Sequence, residues 1–234
     1  MKDFPYLYVS PDCNTSSQHA VIVLPEIYGL NDFVRSVADR AAQELGAIGV
    51  GLDHFYAVDN QVHTIGYDEH EKGVELMQAV TGETYLSLLG KTIDSIFVEY
   101  PSVVDITVLG FCFGGKLAYL SGVDERVNTI VSFYGGASLA SDFYQGKSAV
   151  QALAEARQDD TNLRVVGLFG EQDELISEGD RQGVHDELAR AHIPCEIAVF
   201  SAGHAFFNQE RSDRYSEAAA QEAWKYVLNF FAVR

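Results

Sequence analysis

Short apolar runs alternate with helical patterns from one end of this chain to the other, and that alternation leaves few folds open. The runs are Ala20–Leu24, Ile48–Leu52, Ile106–Phe111, Val127–Phe133, Leu163–Phe169 and Glu196–Phe200. Most are continuously apolar, as strands covered on both faces require. Tyr6–Val9 is a candidate extra edge strand. Between the runs, Phe33, Val37, Ala41 and Leu45 recur every four residues, with Asn31 as a candidate N-cap and Gly46 as a stop. Val184, Leu188 and Ala191 form a second stripe. It follows Ser177-Glu178-Gly179-Asp180, a capping box with Asp in place of Glu. A last helix is expected from about Asp213 to Phe231, with Trp224, Val227, Leu228 and Phe231 near one side. Strands alternating with helices need crossover connections. The pattern therefore predicts an α/β fold, a mainly parallel central sheet with helices on both faces. No linker, repeat or low-complexity tract divides the chain, and one domain over residues 1–234 is expected. Residues 55–100 begin polar (Val58–Glu71) and then turn helical over about Glu71–Val80 and Glu83–Glu99. That stretch reads as an excursion over the sheet, near the site.

Composition removes several function classes. The 234 residues are 47% hydrophobic and 21% charged, enough to bury a core without a disulfide or metal staple. Asp and Glu number 34 against 16 Lys and Arg, a net charge of −18. Such a surface argues against nucleic acid and against anionic lipid as partners. No apolar run is long enough to span a bilayer, and the first residues carry no apolar signal core. Three cysteines (Cys13, Cys112 and Cys195) lack disulfide spacing, which points to a reducing, cytoplasmic setting. Cys and His nowhere show zinc-ligand spacing, so no metal is expected.

The sharpest local signal is Gly110-Phe111-Cys112-Phe113-Gly114-Gly115, where an apolar strand runs into a helix. This is the nucleophile-elbow pattern with sulfur in place of oxygen. A nucleophile on so sharp a turn crowds the residues two before and two after it, and glycine has no Cβ to clash. The turn sets the sulfur at a helix N-terminus, whose dipole favours negative charge. The Phe113 N–H then points to where an oxyanion would form. Cys13 and Cys195 lack this context and read as packing or surface residues.

A cysteine nucleophile needs a base, and seven histidines compete. His204 lies just past the last expected strand, in a loop that opens at the same sheet edge as the elbow. His54 also follows a strand and is the second candidate. His185 and His192 sit on a polar helix and read as surface. Leu163–Phe169 runs into Gly170-Glu171-Gln172-Asp173-Glu174, and Asp173 is the favoured acid to orient the histidine, with Glu171 and Glu174 as rivals. Glu26 follows Ala20–Leu24 in Pro25-Glu26-Ile27-Tyr28-Gly29-Leu30-Asn31. A carboxylate at the tip of a core strand is desolvated, so Glu26 is a candidate helper base or substrate contact. The same loop is placed to give a second oxyanion N–H, that of Ile27.

Together, the Glu26 loop, Gly110-Phe-Cys112-Phe-Gly-Gly, Gly170-Glu-Gln-Asp173 and Ala202-Gly-His204 resemble the dienelactone hydrolase family over nearly the whole chain. Leu52-Asp-His54-Phe-Tyr and Val131-Ser-Phe-Tyr134-Gly-Gly resemble two further family segments. The resemblance implies an α/β-hydrolase fold and a small-molecule ester or lactone substrate. It implies an acyl-enzyme on Cys112, with His204 and Asp173 as the rest of a triad. It also implies that Glu26 helps to form the thiolate and that no cofactor takes part. A monomer is expected. Tyr28, His54, Tyr134 and Asn208 are candidate substrate contacts. One departure concerns charge. The family grips a substrate carboxylate with two arginines, one of them four residues after the catalytic histidine, and this chain has Asn208 there. The other falls in a stretch where residues 41–125 carry only Lys72, Lys91 and Lys116 as cations. A neutral or differently charged ester is therefore a natural expectation. Two other readings remain open: acyl transfer or thioester cleavage in the same elbow, and a non-catalytic ligand-binding protein.

Overall fold

A computed structural model describes residues 4–232. In chain order the elements are β1 (Leu7–Val9), β2 (His19–Leu24), α1 (Asp32–Leu45), β3 (Ile48–Leu52), α2 (Tyr56–Asp59), α3 (His70–Ala79), α4 (Gly82–Glu99) and β4 (Asp105–Phe111). There follow α5 (Phe113–Ser121), β5 (Val127–Phe133), α6 (Ala149–Ala156), β6 (Arg164–Gly170), α7 (Glu178–Arg190), β7 (Cys195–Phe200) and α8 (Glu217–Ala232). The strands form one seven-stranded sheet in the order β1-β3-β2-β4-β5-β6-β7. Only β1 is antiparallel, pairing Leu7 with Leu52 and Val9 with Val50 on β3. Every other neighbouring pair is parallel. All six parallel strands therefore end at one edge, where ligands of such sheets bind.

Strand side chains alternate between faces. Val21 and Val23 of β2 pack with Phe33, Val37 and Ala41 of α1 and with Ala223, Trp224 and Val227 of α8. Ala20, Ile22 and Leu24 point the other way, into a layer with Leu89 and Ile93 of α4, Leu117 of α5, Leu153 of α6 and Leu188 of α7. Each fully buried apolar side chain of this size contributes about 1.5–3 kcal/mol. Capping follows the sequence. Asn31 accepts the Val34 N–H at 3.2 Å, and Gly46 closes α1 in the left-handed region at φ 63°. Ser177 and Asp180 form the reciprocal box at the start of α7.

The structure departs from the sequence pattern at three places. α8 begins at Glu217, not near Asp213. The Ser216 N–H donates to Phe206 O at 3.0 Å and the Tyr215 N–H to Arg211 O at 2.8 Å, so this segment is folded back on the loop that carries His204. α6 has no counterpart in the sequence reading, although Ser148 and Gln151 cap it reciprocally. The short α2 is likewise unforeseen. No helix among the described residues is long and apolar enough to cross a membrane.

Candidate active site

Cys112 stands between β4 and α5 with φ 53° and ψ −113°. A non-glycine residue held there costs about 1–3 kcal/mol, and the surroundings enforce it. The Cys112 N–H donates to Phe133 O at 3.0 Å, and the Gly114 N–H donates to Pro25 O at 3.1 Å. A Cβ on Gly110 would meet Gly114 O at 2.0 Å, and one on Gly114 would meet Pro25 O at 2.4 Å. Glycine is what lets the elbow close against the loop after β2. That contact brings Ile27 beside the elbow. The N–H groups of Ile27 and Phe113 form no hydrogen bond among the described residues, which leaves both free for a ligand oxygen.

His204 and Asp173 converge on the sulfur from the ends of β7 and β6. His204 Nε2 lies 3.2 Å from Cys112 Sγ, and His204 Nδ1 lies 2.8 Å from Asp173 Oδ2. The two loops are joined through their backbones. The Glu171 N–H donates to Phe200 O at 2.8 Å and the Gln172 N–H to Ala202 O at 2.9 Å. Arg181 of α7 donates to Gly170 O and Ile176 O, at 3.1 and 3.3 Å, and ties down the loop that holds the acid. Asp173 Oδ1 accepts the Leu175 N–H at 2.9 Å, so both carboxylate oxygens are used. The rivals Glu171 and Glu174 are exposed. The histidine loop is anchored by Phe207, whose ring lies 4.7 Å from Phe133, 5.4 Å from Phe111 and 6.0 Å from Trp224.

Burial opposes a charge on His204, yet the hydrogen bonds and negative charges of Asp173 and Cys112 outweigh it and raise its pKa from 6.5 to about 10. The folded state holds this proton more tightly than the unfolded chain. The stabilisation is complete below the unfolded value of about 6.5 and is lost as pH rises to about 10. Chemical denaturation of wild type and His204→Gln should therefore differ most at pH 6, and the difference should narrow steadily by pH 10. A gap independent of pH over that range would contradict the ion-paired histidine.

Glu26 is buried at the tip of β2, 3% exposed. Its Oε2 accepts from Asn208 Nδ2 at 3.0 Å and lies 3.7 Å from the Arg211 guanidinium. Burial raises its pKa above the ordinary carboxyl value, and Arg211 and Asn208 pull the other way. Glu26 Oε1 and the Tyr134 hydroxyl are both buried without a well-formed hydrogen bond, and each bears electrostatically on the other.

Two cavities meet at the sulfur. The larger, about 610 Å³, is lined mostly by apolar groups, among them Met77, Val80, Phe113, Phe143 and Leu175, with Lys116 in its wall. The smaller, about 270 Å³, is lined by Glu26, Ile27, Tyr28, His70, Arg211 and Arg214, among others. Cys112 and His204 line both. The excursion of residues 55–100 reaches the site through Met77, Gln78, Val80 and Thr81 of the larger cavity.

Of the expected substrate contacts, Tyr28 lines one of these two cavities, and His54, Tyr134 and Asn208 line neither. Tyr134 is fully buried, with φ 40° and its ring centroid 5.1 Å from that of His204. Asn208 is buried behind Glu26, where its amide also donates to the Tyr67 hydroxyl at 3.1 Å. His54 lies apart from both cavities. It is wholly buried, stacked edge-on at 4.4 Å to Phe55 and 5.2 Å to Phe113, with neither ring nitrogen hydrogen-bonded among the described residues. Burial drops its pKa to about 3, so it stays neutral behind the elbow and is no base for the sulfur. Arg211 follows the histidine loop in sequence. It does not occupy the family's arginine position, yet it reaches the buried Glu26 carboxylate and covers the Tyr28 ring at 5.5 Å. Among the described residues no three His, Cys, Asp or Glu side chains gather as a metal would need.

The chain is similar to known proteins over nearly its whole length. A chain from Salmonella typhimurium named "Putative carboxymethylenebutenolidase" is 25% identical over 232 residues, covering 98% of this chain and 83% of that one. A chain of the same name from Synechocystis is 27% identical over 233 residues, covering 96% and 89%. Among solved structures, one from Klebsiella pneumoniae named "Putative Dienelactone Hydrolase" superposes with a TM-score of 0.81 at 25% identity, covering 97% and 92%. The dienelactone hydrolase-like phosphotriesterase P91 shares the fold, with a TM-score of 0.64 at 21% identity over 91% of this chain and 85% of that one. The dienelactone hydrolase family model matches residues 5–233, and the chain belongs to that family of α/β-hydrolases.

Proposed function

We propose that this hydrolase cleaves small carboxylic esters or lactones through a Cys112–His204–Asp173 triad and a thioester acyl-enzyme. The observation that carries the reading is the relay of 3.2 and 2.8 Å from sulfur to imidazole to carboxylate, at the meeting point of two cavities. Asp173 holds the proton on His204 Nδ1, so Nε2 takes and keeps the proton of the thiol, leaving a thiolate beside an imidazolium. The sulfur attacks the ester carbonyl, and the Ile27 and Phe113 N–H groups receive the oxyanion. The intermediate collapses, the C–O bond breaks, and His204 returns the proton to the leaving alkoxide. Water then gives its proton to His204 and attacks the thioester. The second collapse releases the carboxylic acid and restores the thiolate beside the imidazolium.

Glu26 is the helper in this reading, held by Asn208 and Arg211 on one oxygen, with the Tyr134 hydroxyl also bearing on its carboxylate. Arg211 takes the electrostatic place that Asn208 leaves vacant in the sequence pattern. Tyr134 and Asn208 act as positioning residues behind His204 and Glu26. The test is to trap the intermediate. Rapid acid quench during p-nitrophenyl acetate turnover, followed by mass analysis, should find acetyl on the Cys112 peptide and none in Cys112→Ala. Turnover with acetyl on another side chain, or with no acyl-enzyme under burst conditions, would overturn the assignment.

A further inference from the structure

Lys116 is a cation of the larger cavity that the catalytic reading does not use. It lies one helical turn beyond Cys112, its N–H donating to Cys112 O at 3.1 Å, and residues four apart share a helix face. It lines the larger cavity together with Cys112 and His204. Its ammonium sits 3.7 Å from the centroid of Phe143. In a chain with 34 acids and 16 Lys and Arg, no carboxylate forms an ion pair with it among the described residues. Asp142, on the same cavity wall, is exposed and makes no ion pair with it. Burial lowers the Lys116 pKa with no acid to offset it. A half-buried ammonium in an apolar cavity is costly, and the ring face returns only part of the lost hydration.

We infer that Lys116 sets the specificity of the larger cavity by receiving a carboxylate on the part of the ester that enters it. This anion position lies across Cys112 from Arg211 and Arg214, which line the smaller cavity. The class of substrate is an ester whose apolar body fills the space between Phe113 and Phe143 and ends in a negative charge about one helical turn from the reacting carbonyl. The inference rests on the hydrolase reading for which group enters the cavity. Its own claim concerns binding and is tested by binding.

The probes are 4-acetoxybenzoate and its neutral analogue 4-acetoxybenzamide, titrated calorimetrically into Cys112→Ala protein so that neither is consumed. The carboxylate should bind tighter than the amide by ~10-fold or more, as a charge-assisted contact provides. In Cys112→Ala/Lys116→Met that ratio should fall to about one. In Cys112→Ala/Lys116→Arg, which keeps the charge, it should persist. A preference that survives Lys116→Met assigns the anion to the arginine side and overturns the inference. A carboxylate bound no better than the amide, or not bound at all, overturns it as well. Failure of the hydrolase reading shows separately, as acetate release from these esters that is absent in the parent protein or undiminished in Cys112→Ala.

Discussion

Cys112→Ala is expected to lower ester turnover by about 10⁴-fold or more, because a relay that acts as a unit has no function without its nucleophile. The substitution keeps a Cβ at φ 53° and removes only the sulfur, so the fold should stand unchanged. Cys112→Gly supplies a sharper contrast. It should be equally inactive, yet at least as stable as Cys112→Ala. Glycine accepts this backbone conformation without the strain of about 1–3 kcal/mol that cysteine bears. That gain offsets the extra freedom of glycine in the unfolded chain, about 0.5–1 kcal/mol. Steady-state kinetics and chemical denaturation on the same preparations check both halves. A Cys112→Ala enzyme with more than about a hundredth of the wild-type rate would place the chemistry elsewhere. A Cys112→Gly variant much less stable than Cys112→Ala would mean that the elbow is not strained.

The site was legible in the sequence to the extent that the fold brings its parts to one edge. Cys112, Asp173 and His204 each follow a strand of a parallel sheet, so their order and placement could be read before any distance was known. Gly110 and Gly114 could be read because a Cβ at either would strike backbone. His54 shows where that logic ends. It also follows a strand, β3, but the chain turns at once into α2 and the ring is sealed under Phe55 and Phe113. Strand-end position alone does not distinguish a side chain that faces the cleft from one that faces the core. The partners of Glu26 were illegible for another reason. Asn208 and Arg211 reach one carboxylate from different points of a loop bent back by the Tyr215 and Ser216 hydrogen bonds. The same bend delays α8, so one set of backbone contacts explains both the shifted helix and the pairing of Arg211 with Glu26. Lys116 carried a readable signal in its spacing, one turn after the nucleophile. Only the Phe143 ring and the lack of an acid partner among the described residues gave that spacing meaning.

Asp173→Asn is expected to cost about 10³–10⁴-fold in turnover with little loss of fold, and the reason lies in the two oxygens of Asp173. Oδ1 accepts the Leu175 N–H at 2.9 Å, and Oδ2 faces His204 Nδ1 at 2.8 Å. Asparagine can satisfy one of these, not both. If its oxygen stays with Leu175, its NH₂ faces Nδ1. That nitrogen must then be the acceptor, and the proton moves to Nε2, toward the sulfur. A histidine in that tautomer cannot take a proton from the thiol. If the amide turns over, its NH₂ meets the Leu175 N–H, donor against donor, in a site where the Asp173 side chain is fully buried. Either way the charge that holds His204 near a pKa of 10 is gone. Its titration should fall toward the ordinary histidine value of about 6.5, as NMR of the imidazole would report. Wild-type turnover in Asp173→Asn, or an imidazole titration unmoved from wild type, would remove Asp173 from the relay. Loss of turnover together with the shifted titration would assign it the orienting role, because a merely structural acid would not move the proton on His204.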